Sequence, residues 1–355
     1  MRKILKISFT TLVSAAVMIS LLGAARFIGK ESGASGPVFQ KGMCYTTWNK
    51  DTYRTAKSYE SLKRLKALNV EWLAVLTTWY QDSCFSTKIF PTAKTPSDES
   101  VKEIIEKAHS LGMKVMLKPH LDLLSTSEGG WRGEIACIRE PDWQVWFNQY
   151  KSFILHYAKI AEETGAEMLC IGTELTAATA GRADDWKDII SAIKKVYKGN
   201  LTYAANWSEE YLQIRFWDEL DYVGIDAYFP LSNEDRPTYE AMMEGWKRWI
   251  SEIEQWQKMV NKPVIFPEVG YRSSLGAARN PWEHTLGPKV DLEFQKDCYR
   301  AMVDTFWERD WFYGIYWWNW GTDVRMGGKS NRGFTPQNKP AEEYIAELYK
   351  RKVNK

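Results

Sequence analysis

Residues Glu167-Met-Leu-Cys-Ile-Gly-Thr-Glu174 form a short apolar run that closes on a carboxylate, and an amphipathic stretch over 142–163 leads into it. In that stretch Trp146, Phe147, Tyr150, Phe153, Ile154 and Tyr157 recur at three- and four-residue steps, the spacing that lines one face of a helix. The pair reads as a helix followed by a buried parallel strand. The same alternation runs along the chain. Strands are predicted at 42–47, 72–78, 114–120, 168–173, 201–206, 222–226, 264–268 and 314–319. Helical faces recur at 98–111, 184–197, 239–260, 292–308 and 341–350, and 208–220 leaves room only for a short helix. Eight strands alternating with helices is the number that closes a barrel, so the expected class is α/β, a single (β/α)8 TIM barrel.

The barrel is expected to span 42–350, after a linker at 31–41 and a targeting segment at 1–30. Arg2, Lys3 and Lys6 precede an apolar stretch over 7–25, and Gly23-Ala24-Ala25 offers small residues for cleavage. The segment reads as a signal peptide or an uncleaved N-terminal anchor, although Ser8, Thr10, Thr11, Ser14 and Ser20 dilute it as a bilayer span. An exported protein is expected, secreted or tethered to a membrane only through this segment.

A net charge of +2 without a basic stripe gives no reason to expect nucleic acid. Four His without ligand spacing argue against a metal site, and no cofactor fingerprint is present. Of the five cysteines, Cys44 and Cys170 fall in predicted strands and read as small core residues. Cys84 and Cys137 fall in loops after neighbouring strands, where a disulfide would suit an oxidising compartment; sequence does not fix the pairing.

Barrels of this kind build their sites where strands end and βα loops begin. Those ends read Trp48, Trp79, His120, Glu174, Asn206 with Trp207, Asp226 with Tyr228, Glu268, and Trp317 with Trp318 and Asn319. Glu268 closes a second apolar run, Pro263-Val-Ile-Phe-Pro-Glu268. Desolvating a carboxylate is costly, so one at the end of a buried strand is paired or used. Two such residues suggest the carboxyl pair of a glycoside hydrolase. The bland alternatives are a helix cap for Glu174 and an ion pair with Arg272 for Glu268. Of 18 Trp and 18 Tyr, most build core, while those at strand ends suit stacking on pyranose faces. Trp317 and Trp318 alternate faces, so one alone can serve the mouth, and Trp317 is favoured. Trp48 and Trp79 stand evenly between platform and packing, and His120 between sugar contact and structural role. Asn206-Trp-Ser208 matches a glycosylation sequon, read here as chance because Asn206 lines the expected site.

Ile171-Gly-Thr-Glu-Leu175, Gly224-Ile-Asp-Ala-Tyr-Phe-Pro230, Phe266-Pro-Glu-Val-Gly-Tyr-Arg-Ser273, Tyr316-Trp-Trp-Asn-Trp320 and Gly333-Phe-Thr-Pro-Gln-Asn-Lys-Pro-Ala341 together resemble glycoside hydrolase family 113, endo-β-1,4-mannanases of clan A. The similarity runs from about Gly42 to Tyr349. It implies a retaining reaction with Glu174 as acid/base, Glu268 as nucleophile and Tyr228 beside the nucleophile. It also implies a β-linked substrate of mannan type: mannan, glucomannan or manno-oligosaccharides. Clan members usually carry Asn before the acid/base, where this chain has Thr173, and many carry an arginine at the end of the second strand, which is missing here. Rival readings are a clan relative cutting another β-glycan, and a surface glycan-binding protein without turnover. The two carboxylates argue against the latter.

Overall fold

A computed structural model describes residues 36–124, 130–285, 289–353 and Lys355. The targeting segment at 1–30 lies outside the described residues. Eight parallel strands close into a barrel in chain order: β1 Gln40–Thr46, β2 Trp72–Gln81, β3 Lys114–Leu123, β4 Met168–Thr173, β5 Asn200–Asn206, β6 Tyr222–Asp226, β7 Val264–Val269 and β8 Phe312–Gly321. β8 pairs back onto β1, so no strand edge is left open. The helices α1 Ala56–Ala67, α2 Asp98–Ser110, α3 Glu140–Thr164, α4 Ala183–Val196, α5 Glu210–Gln213, α6 Tyr239–Val260, α7 Leu292–Phe306 and α8 Pro340–Tyr349 follow the strands one by one. A further single turn, Thr176–Thr179, lies between β4 and α4.

Local chemistry sets these boundaries. Ser97 caps α2 by accepting from the Ser100 amide, and Asp98 and Glu99 occupy its positive first turn. Gly112, at φ 68°, lets the chain leave that helix. Pro141 sits at the start of α3, and Gly165 at φ 70° ends it. The 208–220 segment holds only the one-turn α5 and a 3-10 turn, Trp217–Glu219, as its length demanded.

Side chains alternate along the regular parts of the strands. The barrel interior is filled by Ala74, Leu76, Met116, Cys170, Ala204, Ile265 and Tyr316, while Leu73, Val75, Val115, Leu117, Leu169 and Ile171 pack with the helices. β2 and β3 pair through ten residues each, Trp72 with Lys114 through Gln81 with Leu123, and so outrun their predicted ends. Among the described residues no disulfide forms, so Cys84 and Cys137 are not bridged. Cys44 and Cys170 are core residues.

Candidate active site

Glu268 lies on β7, where the ladder is irregular on both sides: between Phe266 and Val269 against β8, and between Gly224 and Asp226 against β6. Such irregularities re-aim a side chain at the rim of a barrel. Its carboxylate is 3% exposed and fully engaged. Lys118 Nζ, from β3, donates to Oε1, and the Tyr228 hydroxyl donates to Oε2 at 3.0 Å. Lys118 is itself 0% exposed. It also donates to His120 Nε2 at 3.1 Å and faces Asp226 Oδ2 at 3.7 Å. Asp226, on β6, is the register partner of Glu268.

The charges in this floor sort themselves. Burial works against an ionised Glu268, but the Lys118 ammonium and His120 together outweigh it and hold the carboxyl well below the usual range. Burial, reinforced by the negative charge of Glu268, pushes the Asp226 carboxyl far up against the opposing pull of Lys118. Burial and the Lys118 charge push His120 down to about 3, so its imidazole is neutral and can accept the Lys118 proton.

Glu174 follows β4 with φ 51°, a left-handed backbone that side chains adopt only under constraint. Its amide donates to the Ala204 carbonyl at 2.8 Å, and the next amide, Leu175, donates to the Tyr203 hydroxyl at 2.8 Å. Asn206 Nδ2, at the end of β5, donates to Oε1 at 2.8 Å. Arg132, from the loop after β3, reaches Oε2 at 3.5 Å and Asp122 at 3.3 Å. Burial pushes the Glu174 carboxyl up and the Glu268 charge adds to it, against the opposing pull of Arg132. The two carboxyls are thus displaced in opposite directions, the pattern that separates an acid from a base.

Several residues expected at the mouth lie elsewhere. Trp317 is fully buried on the helix side, stacked on Tyr299 of α7 with ring centroids 4.0 Å apart. Trp318 takes the inner face, parallel to the His120 ring at 6.2 Å. Trp79 shares the outward parity of Leu73, Val75 and Thr77; its Nε1 donates to Tyr157 of α3, and its ring packs on Phe153 and His156. Asp226, 0% exposed beneath Glu268, is part of the floor and out of reach of a sugar. His120 is 3% exposed and Asn206 8%, both beside the carboxyls, while Trp48 is exposed after β1. Arg272 does not pair with Glu268. It is buried and donates to the carbonyls of Thr285 and Asn280, fastening the loop after β7.

That loop carries residues the sequence reading passed over. Trp282, 41% exposed, stacks on Trp207 at 5.0 Å and 21°, directly beside Asn206. Lys118 was legible in one respect: it shares a face with His120 by strand parity. Arg132 had no local signal, since only the fold brings it to Glu174. Among the described residues, no three His, Cys, Asp or Glu gather as a metal would need.

The profile of glycoside hydrolase family 113 matches residues 43–339. A family 113 β-1,4-mannanase is 30% identical, superposing with a TM-score of 0.80 over 89% of this chain and 100% of its own. The family 113 β-mannanase AaManA from Alicyclobacillus acidocaldarius is 27% identical, with a TM-score of 0.79 over 88% of this chain and 97% of its own. A β-glucuronidase from Ruminococcus gnavus, 13% identical with a TM-score of 0.57 over 88% of this chain and 50% of its own, shares the fold alone. No curated protein sequence matches the chain. With its barrel and its two strand-end carboxyls, the chain belongs to glycoside hydrolase family 113 and is a glycoside hydrolase.

Proposed function

We propose that the protein is a retaining endo-β-1,4-mannanase. The observation that carries the reading is the opposed electrostatic setting of Glu174 and Glu268, and the β-mannanases among its structural relatives support the substrate. Glu268, ionised against Lys118, attacks the anomeric carbon. The glycosidic bond breaks, its electron pair leaves on the departing oxygen, and Glu174 gives that oxygen its proton. Water then loses a proton to Glu174 and displaces Glu268 from the glycosyl-enzyme ester, so the configuration is inverted twice. Tyr228 holds the carboxylate of Glu268, Trp318 lines the inner wall, and the Trp207–Trp282 pair edges the Glu174 side of the cleft. No metal or cofactor is required for these steps.

The test is reducing-sugar release from mannan, glucomannan, xylan, cellulose and barley glucan, with the anomer of the first product followed by NMR. Release from the mannans, short oligosaccharides from mannohexaose and an initial β-anomer are expected. Mannose released singly from the start would overturn the endo reading, an α-anomer the retaining one, and binding without release from any glycan the hydrolytic one. We further propose that residues 1–30 export the protein, cleaved or retained as an anchor. Sequencing the N-terminus of protein from cell fractions tests this, and an intact chain confined to the cytosol would overturn it.

A further inference from the structure

Among the described residues, the reaction leaves the fully buried carboxyl of Glu210 without a task. Glu210 opens α5 and is 0% exposed. Its Oε1 accepts from the Tyr203 hydroxyl at 2.7 Å and from Thr179 Oγ1 at 3.0 Å, and its Oε2 accepts the Asn206 backbone N–H at 2.6 Å. Each partner leads to Glu174. The Asn206 side chain donates to Glu174 Oε1, and the Tyr203 hydroxyl receives the amide of Leu175, the residue after Glu174. Thr179 closes the single helical turn that follows. The chain is directional: the Tyr203 oxygen takes the Leu175 proton while its own proton goes to Glu210. A left-handed non-glycine backbone is strained and persists only where its surroundings over-determine it. At Glu174 those surroundings converge on Glu210.

We propose that Glu210 is a positioning residue for the proton donor, clamping Asn206 and the 174–175 peptide so that Glu174 keeps its backbone and aims its carboxyl at the leaving oxygen. The inference rests on Glu174 being the acid in the reaction proposed above. A glutamine at this position has nearly the same shape but replaces one acceptor oxygen with an NH2 group. Whichever way that amide faces, either Tyr203 or the Asn206 amide loses its acceptor. Burial also pushes Glu210 up to about 7, against the hydrogen bonds from the Asn206 amide, Tyr203 and Thr179 that favour its ionised form.

The experiment compares kcat/KM of Glu210→Gln on mannohexaose, whose leaving group needs a proton, with 2,4-dinitrophenyl β-mannoside, whose leaving group needs none. The oligosaccharide should lose on the order of 10- to 100-fold and the aryl mannoside stay within about threefold, because kcat/KM reports the first step alone. An equal loss on both substrates, or none on either, would overturn the proposal. Where Glu210→Gln does not accumulate folded, Tyr203→Phe removes the middle link and carries the same expectation. If wild-type enzyme cleaves neither substrate, the assigned reaction is at fault. A crystal structure of Glu210→Gln then decides the positioning role by itself, and Asn206 Nδ2 still bonded to Glu174 at unchanged φ would end it.

Discussion

Replacing Lys118 with methionine removes the cation under Glu268 while keeping an unbranched apolar stem in the barrel. The ammonium touches the Glu268 carboxylate, and both groups are within 4% of full burial. At about 4 Å and an effective dielectric constant of about 20, such a pair is worth about 4 kcal/mol. At about 1.4 kcal/mol per pH unit, its loss raises the pH at which Glu268 ionises by about 2 to 3 units. The nucleophile must be ionised, so the acid limb of the kcat/KM profile should move up by that amount. The same sign applies to stability. A depressed carboxyl contributes stability that is present above the ordinary carboxylate range and lost as pH falls through the depressed value. Lys118→Met should lack this acid-sensitive part, and leaving the carboxylate without its partner should cost about 3–5 kcal/mol at neutral pH. The assay is kcat/KM on manno-oligosaccharides across pH, with thermal unfolding and near-UV circular dichroism as the check on folding. Lys118→Arg restores the charge and should return the acid limb toward its wild-type position, although kcat falls. An acid limb that stays put in folded Lys118→Met would refute the reasoning.

Glu174→Ala should keep first-step reactivity on an activated aryl mannoside and yield a β-mannosyl azide with azide, whereas Glu268→Ala should give at most the α-azide; a β-azide from the latter would reverse the roles. Trp317→Ala should cost about 3–5 kcal/mol of stability by emptying its slot against Tyr299, with KM of the folded enzyme little changed. Trp318→Ala should instead cost about 1–3 kcal/mol in kcat/KM, and the opposite pattern for the two would restore Trp317 to the mouth. Dialysis against a chelator should leave activity intact, and a loss reversed by one particular metal would reveal an ion the reaction scheme omits.

All eight strands were legible because a strand buried on both faces reads as a continuous apolar run bounded by polar residues. The ends of β2 and β3 were not. Gln81 and Asp122 look like loop residues, yet both strands rise past the packed interior to form the wall of the mouth, where polar side chains are at home. That misjudged end also left Trp79 undecided between platform and packing. Counting by twos from Ala74 and Leu76 would have placed it outward, with Val75 and Thr77. The same count from Tyr316 separates Trp318 from Trp317, but two adjacent tryptophans are equally apolar and hydropathy alone gives no parity. Glu174 and Glu268 stood out because a charge ends each apolar run. Lys118 sits inside one and was hidden by its neighbours, and Arg132 reaches Glu174 only through the closure of the fold.

The floor of the barrel holds one ammonium between two carboxyls, and only Glu268 uses its charge. This arrangement ranks the routes by which the sequence can drift. Burial and the Glu268 charge already favour the protonated form of Asp226, so exchange for asparagine disturbs the local charge least. Lys118 has no such freedom, because its loss takes away the cation that holds Glu268 ionised in acid. A replacement cation would first have to enter from a different strand, with a third acidic partner or a second protonation to receive it. Only then could position 118 be released. The three positions are therefore electrostatically coupled, and a neutral residue at 118 calls for a substitute cation elsewhere on the same inner ring.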